Sequence, residues 1–177
     1  STLVLWHVLD TENNPHHRDL LDMAVLYPGG AIASDAMPWT LSDGKAYTGD
    51  AWPLPEDATS HPRSAGCFTR FIREWVRERR TISLMEGIRK CALIPAEILS
   101  ASTPAMRNKG RLQAGADADI VAFDYEKLSD RATFTAMNRP SEGVRHLVVS
   151  GQPLIADGVL DLAARPGRPV RRPVVAS

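Results

Sequence analysis

The sequence predicts an α/β fold, and three observations carry it. An apolar run at residues 2–9, a helical pattern at 15–26 and a second apolar run at 31–34 follow one another closely. Strand, helix and strand within about 34 residues have the size of one βαβ unit with parallel strands. The second run ends in an acid, Asp35, and in α/β barrels the chemistry sits at the C-terminal ends of the strands. Two strands neither close a barrel nor cover a sheet, and their edges need partners. On topology alone the chain is part of a fold.

The elements follow in order. Thr2, Leu3, Val4, Leu5 and Trp6 read as a buried strand. Asp10, Asn13, Asn14 and Pro15 break it, and Pro15 suits the first turn of a helix. Leu20, Leu21, Ala24 and Val25 repeat at helical spacing until Pro28-Gly29-Gly30 stops them. Residues 36–66 carry Pro38, Gly44, Gly49, Pro53, Pro55 and Pro62 with Trp39, Tyr47 and Trp52, and have neither period. So long a loop in a compact domain reads as a lid or binding loop, and its aromatics want burial. From Cys67, the residues Phe68, Phe71, Ile72, Trp75 and Val76 form an apolar helical stripe. Arg70, Arg73, Arg77 and Arg79 fall on the other side and read as a solvated face. Ser83 to Glu86 is a capping box for a second helix, and Pro95 opens a third, ending near Leu99. Residues 110–115 read as a short strand and turn, 118–124 as a strand, and 143–149 with 154–159 as a hairpin turning at Ser150-Gly151-Gln152-Pro153. The tail 164–173 is rich in Arg, Pro and Gly.

The 21 basic residues balance the 21 acidic ones, which excludes a global electrostatic grip on nucleic acid or anionic lipid. No apolar run reaches the ~18–20 residues of a membrane span. No secretory signal is read, and two cysteines without metal-site spacing fit a reducing cytoplasm. The neutral total hides an asymmetry: residues 1–65 hold nine acids and three bases, residues 66–112 four acids and ten bases. The acidic first block also carries His7, His16, His17 and His61, which points to a site there.

Several stretches together resemble the C-terminal portion of the D-aminoacylase family, the N-acyl-D-amino-acid deacylases of the amidohydrolase superfamily. They are Ile32-Ala33-Ser34-Asp35-Ala36-Met37-Pro38, then His61-Pro62-Arg63 with Phe68-Thr69-Arg70-Phe71, then residues 83–99 with Ile94-Pro95-Ala96-Glu97. Lys109-Gly110-Arg111-Leu112 with residues 118–124 follows. Last come Asp130-Arg131-Ala132-Thr133-Phe134, Gly143-Val144, Val149-Ser150-Gly151 and Pro166-Gly167-Arg168-Pro169. The loop 39–57 is similar to the D-glutamate deacylase-like branch.

The resemblance implies the C-terminal part of a (β/α)8 metal-dependent hydrolase barrel plus strands of a small β-sandwich domain. Residues 1–106 would supply the last two barrel strands, the mouth loop 36–66 and closing helices, and 107–177 the small-domain segment. A start without Met that is apolar from the third residue then reads as a cut just before the seventh barrel strand.

Amide hydrolysis needs an activated water and a polarised carbonyl, which a zinc ion supplies, and a carboxylate that moves the proton. The resemblance makes Asp35 that carboxylate, in contact with the metal or its water; on spacing alone it equally caps the turn after a strand. Ser34 and Met37 flank it as substrate-binding positions. Arg63 would grip a substrate carboxylate, with His61 beside it, or else pair with an acid of its own block and pin the loop. Trp39, Tyr47 and Trp52 would line an acyl pocket or pack the loop. The family's His ligands fall before residue 1, so zinc is expected only in the complete assembly, with an upstream segment or partner chain supplying them. His7, His16, His17 and His146 are expected to be structural or solvated, and Cys67 and Cys91 inert. The expectation is thus a part of a zinc-dependent amidohydrolase acting on N-acyl-D-amino acids, with N-acyl-D-glutamate within its range. The alternatives are a non-catalytic small subunit or proteolytic fragment completing another chain's barrel, and a metal-free binding module. No nucleic-acid or membrane partner is expected.

Overall fold

The structure, a computed structural model, describes residue 11 and residues 13–172. The expected strand at 2–9, with His7, lies outside the described residues. Helix α1 spans Pro15–Leu26, started by Pro15 and by the Asn14 side chain, which accepts the N–H groups of His16 and His17. Its exposed C-terminal end is sealed from another element. Lys90 is 1 % exposed and its Nζ donates to the carbonyls of Tyr27 at 2.6 Å and Gly30 at 3.1 Å. A buried ammonium is costly unless hydrogen-bonded, and the carbonyl end of a helix is where a cation is best placed.

The expected strand at 31–34 is not one. Ile32 N–H donates to the Lys90 carbonyl, and no other described strand lies beside it. A strand exists only with a partner, and the expected partner was the run at 2–9. The segment 36–60 is a loop fastened by Thr40, which bridges to Ala46 and to Thr59. Trp39 and Tyr47 are half-buried, but Trp52 is 46 % exposed, against the expectation of burial.

Helix α2 spans Pro62–Phe71, so it begins five residues before the apolar stripe predicted it, and continues as a π-helical stretch over Ile72–Glu78. Pro62 at the first helical position was the missed signal. Phe71, Ile72, Trp75 and Val76 form the core with Leu128, and Leu21 and Val25 of α1 and Phe123 and Val144 of the sheet pack against it.

The arginines opposite this stripe are not a solvated face. Arg73 Nε donates to Asp130 at 2.8 Å and its Nη1 to Glu78 at 2.9 Å. Arg77 Nη1 donates to the carbonyls of Tyr125 (2.6 Å) and Leu128 (2.7 Å). Arg70 pairs with Glu74, and Arg79 with Asp22. Arg73, Arg77 and Arg79 thus tether this stretch to neighbouring elements, while Arg70 pairs within it. Trp75 lies at their centre. The guanidinium carbons of Arg18 and Arg79 stand 5.3 and 5.6 Å from its ring, and its Nε1 donates to Asp22 at 2.9 Å.

Helix α3 (Leu84–Cys91) starts at Ser83, whose side chain accepts Glu86 N–H as the capping box requires. Helix α4 (Leu93–Ser100) and a 3-10 turn at Pro104–Asn108 follow. The expected short strand at 110–115 is a set of turns. Gly110 has φ +70°, and a Cβ there would sit 2.4 Å from the Ala92 carbonyl oxygen, so this position needs glycine and cannot extend.

Strands β1 (Ile120–Phe123), β2 (Val144–Val149), β3 (Gln152–Ala156) and β4 (Val159–Leu160) form one antiparallel sheet in that order. Two tight turns join the last three strands, at Ser150-Gly151 and Asp157-Gly158, all four residues having positive φ. This matches the right-handed strand twist. The first turn is two residues rather than the expected four. The tail meets the mouth loop where Arg165 pairs with Asp50 at 3.8 Å. No helix among the described residues is long and apolar enough to cross a membrane.

Candidate functional site

Asp35 follows the segment 31–34 with φ +47°, a left-handed backbone that Asp tolerates better than most residues. Such a conformation persists when its surroundings hold it. Arg63, on the first turn of α2, does the holding. Its Nε donates to the Asp35 carbonyl at 2.8 Å and its Nη2 to the Asp35 carboxylate at 2.9 Å. One planar guanidinium thus fixes both the backbone and the side chain of Asp35. The carboxylate remains 85 % exposed, so it is held in place yet open to an incoming molecule.

His61 caps α2: its Nδ1 accepts the Arg63 N–H at 3.2 Å. Burial, then the positive charge of Arg63, lower its pKa below the usual histidine value, against an opposing pull from Asp35. At pH 7 the ring is neutral and its Nδ1 lone pair serves the cap. Met37 is 52 % exposed, and its backbone is fastened at the start of the same helix: its N–H donates to Ser64 Oγ on the helix at 3.0 Å and its carbonyl accepts from Ser60 Oγ just before it at 3.0 Å. Ser34 is half-buried beside Asp35 in the chain.

The structure therefore gathers Asp35, Arg63, His61 and the Met37 backbone at the N-terminus of α2. Arg63 pairs with an acid of its own block, one of the two roles the sequence allows. His61 orients the loop end as a cap. Trp52 lies away from this group, in an open cavity of about 790 Å³ over the sheet with Leu147, Leu154 and Leu160. A smaller cavity of about 350 Å³ lies behind the mouth, between Leu21 and Val25 of α1, Ile32, His61 and Cys67. Burial raises the thiol pKa of Cys67, and pushes that of Cys91 up to about 12. Both are therefore protonated at neutral pH and unreactive.

Among the described residues no group of three or more His, Cys, Asp or Glu side chains is placed to hold a metal ion. Asp35 offers a single exposed carboxylate, and His61 Nδ1 is engaged by the backbone. The described residues do not fit a complete metal centre.

Spacing did not reveal the contact between His61 and Phe134, whose ring meets the imidazole edge-on at 5.1 Å between centroids. The two are far apart in sequence and belong to no shared period. The Ser60 and Ser64 clamp on Met37 was likewise missed; a pair of serines flanking His-Pro-Arg at a helix start was the available signal.

The amidohydrolase-family profile matches residues 5–155. The chain is 37 % identical over 119 residues to an N-acyl-D-glutamate deacylase of Alcaligenes xylosoxydans xylosoxydans, a match that covers 67 % of this chain and 23 % of that protein. It is 37 % identical over 115 residues to an N-acyl-D-aspartate deacylase of the same organism, covering 65 % and 22 %. Among solved structures it is similar to the N-acyl-D-glutamate deacylase of Bordetella bronchiseptica, with TM-score 0.61 and 28 % identity over 89 % of this chain and 28 % of that one. That protein was solved with zinc and a phosphonate inhibitor mimicking the tetrahedral intermediate of its reaction. The chain spans about a quarter of the length of the relatives it matches.

Proposed function

Because the chain belongs to the amidohydrolase family, we propose that it is the C-terminal part of a zinc-dependent (β/α)8 hydrolase that cleaves N-acyl-D-amino acids. Asp35 is its proton-transfer group, and N-acyl-D-glutamate is the substrate of first choice. The observation that carries this reading is Asp35 itself: an exposed carboxylate on a left-handed backbone, gripped twice by Arg63. An acid that merely caps a turn needs no such grip.

The role assigned to Asp35 is a proton relay. Its carboxylate accepts the proton of the attacking water as the water oxygen bonds to the amide carbonyl carbon. It then gives that proton to the amide nitrogen as the C–N bond breaks, leaving a carboxylic acid and a free amine. Arg63 keeps the carboxylate aimed, and Ser34 and Met37 border the substrate. A zinc ion in the complete enzyme would supply Lewis acidity toward the scissile carbonyl, with its ligands assigned to an upstream segment or partner chain. The similarity to deacylases of acidic D-amino acids supports the substrate class.

The test uses the complete enzyme with N-acyl-D-glutamate. Asp35→Asn keeps the shape and removes the base. A fall in kcat of about 10²–10⁴-fold is expected, with KM and zinc content close to wild type. Unchanged kcat removes Asp35 from the mechanism.

A further inference from the structure

Between β1 and β2 the chain leaves the sheet and wraps the start of α2. The excursion is closed at its base by the pairing of Ser129 with Glu142 and at its tip by that of Thr133 with Ala136. Along its length it touches α2 and the mouth loop at successive points. Asp130 packs on Gly66, where an added Cβ would come within 2.8 Å of the Asp130 Cβ. Ser141 Oγ lies 2.7 Å from Thr69 Oγ1 and 3.0 Å from the Ala65 carbonyl. Asn138 Nδ2 donates to the Pro55 carbonyl at 2.8 Å. At the tip, Phe134 meets His61 with the rings at 79°.

Phe134 is 64 % exposed, so burial is not what holds it there. Its defined contact is with the ring that caps α2, whose Nδ1 holds the N–H of Arg63, whose guanidinium holds Asp35. We propose that Phe134 is a positioning residue for the Asp35–Arg63 pair, acting through the imidazole of His61. The edge-to-face contact limits rotation of that imidazole, so its Nδ1 stays on the helix backbone and the first turn of α2 presents Arg63 at one angle. The excursion from the sheet thereby becomes part of the hydrolytic site. This rests on the assignment of Asp35 as the proton-transfer group.

The experiment compares Phe134→Ala, Phe134→Tyr and Asp35→Asn in the complete enzyme, with kcat, KM and the thermal midpoint measured for each. Phe134→Ala is expected to lower kcat about three- to tenfold with KM within about twofold, the loss an aromatic pair carries. The thermal midpoint stays within about 2 °C, because an exposed side chain adds little to folding. Phe134→Tyr keeps the ring edge and restores kcat. Wild-type kcat in Phe134→Ala overturns the inference, as does a raised KM at constant kcat, which makes Phe134 a substrate contact. A parallel fall of kcat and thermal midpoint that Phe134→Tyr does not restore overturns it too, by showing a structural role. If Asp35→Asn retains full kcat, it is the assignment of Asp35 that fails; if Asp35→Asn is inactive and Phe134→Ala is not impaired, only the positioning role fails.

Discussion

The molecule contains two Asp–Arg pairs of nearly the same chemistry and opposite surroundings. Asp22 and Arg79 sit against the core, where the carboxylate also accepts Trp75 Nε1 and the guanidinium lies over the Trp75 ring. Asp35 and Arg63 sit at the mouth, with the carboxylate 85 % exposed against 19 % for Asp22. In the first pair the carboxylate is largely covered and its oxygens are taken by Arg79 and Trp75. In the second, one carboxylate edge is held and the rest faces solvent. An exposed ion pair contributes little to folding, so the proposed role of Asp35 rests on its geometry rather than on stability. The difference is that one pairing is a clasp closed on a covered carboxylate and the other holds a carboxylate open to solvent.

Substitutions separate the two. The largest effect on stability is expected from Trp75→Ala, which empties the core beside the clasp and removes the partner of both guanidiniums. It should cost about 3–5 kcal/mol, seen as a lowered urea midpoint, with kcat of the folded fraction unchanged. A wild-type midpoint would break the comparison by showing the clasp to be ornamental.

Arg63→Lys comes next. Lysine supplies one charge but not the planar fork that reaches the carbonyl and carboxylate of Asp35 together. A fall in kcat of about tenfold is expected, with little change in thermal midpoint. A rise in KM instead would assign Arg63 to the substrate carboxylate, the other role its sequence position allows.

The smallest effect is the pH dependence of the clasp. Arg79 chiefly, then the Trp75 indole and Arg18, hold the Asp22 carboxyl below the usual carboxylate range, against an opposing cost of burial. A depressed folded-state pKa stabilises the fold above the unfolded value of about 3.9 and is lost as pH falls through the folded value. Stability measured from pH 5 downward should therefore decline less steeply in Asp22→Asn than in wild type. Identical slopes would exclude Asp22 as a contributor.

What was legible in the sequence was what is local. Helix α1 shows in its apolar spacing and Pro15, α3 in its capping box, and the first hairpin in Ser150-Gly151, whereas the turn at Asp157-Gly158 that splits the expected arm 154–159 was missed. Asp35 was legible as a candidate because its neighbours resemble a known motif. What was not legible depends on distant partners. The run at 31–34 has strand composition but no described strand beside it, so composition alone named an element that its surroundings do not complete. Arg73, Arg77 and Arg79 read as solvent-facing because Asp130, the Tyr125 and Leu128 carbonyls and Asp22, which take them, lie on α1 and after β1, some fifty residues away. Phe134 was invisible as a site residue for the same reason.

Lys90 has a consequence for time rather than geometry. Its ammonium is sealed beneath the end of α1 and donates to two carbonyls. An amine in that state is chemically silent and regains its reactivity only while α1 lifts away. The extent to which this single lysine yields to modification is therefore expected to follow how often this end of α1 opens.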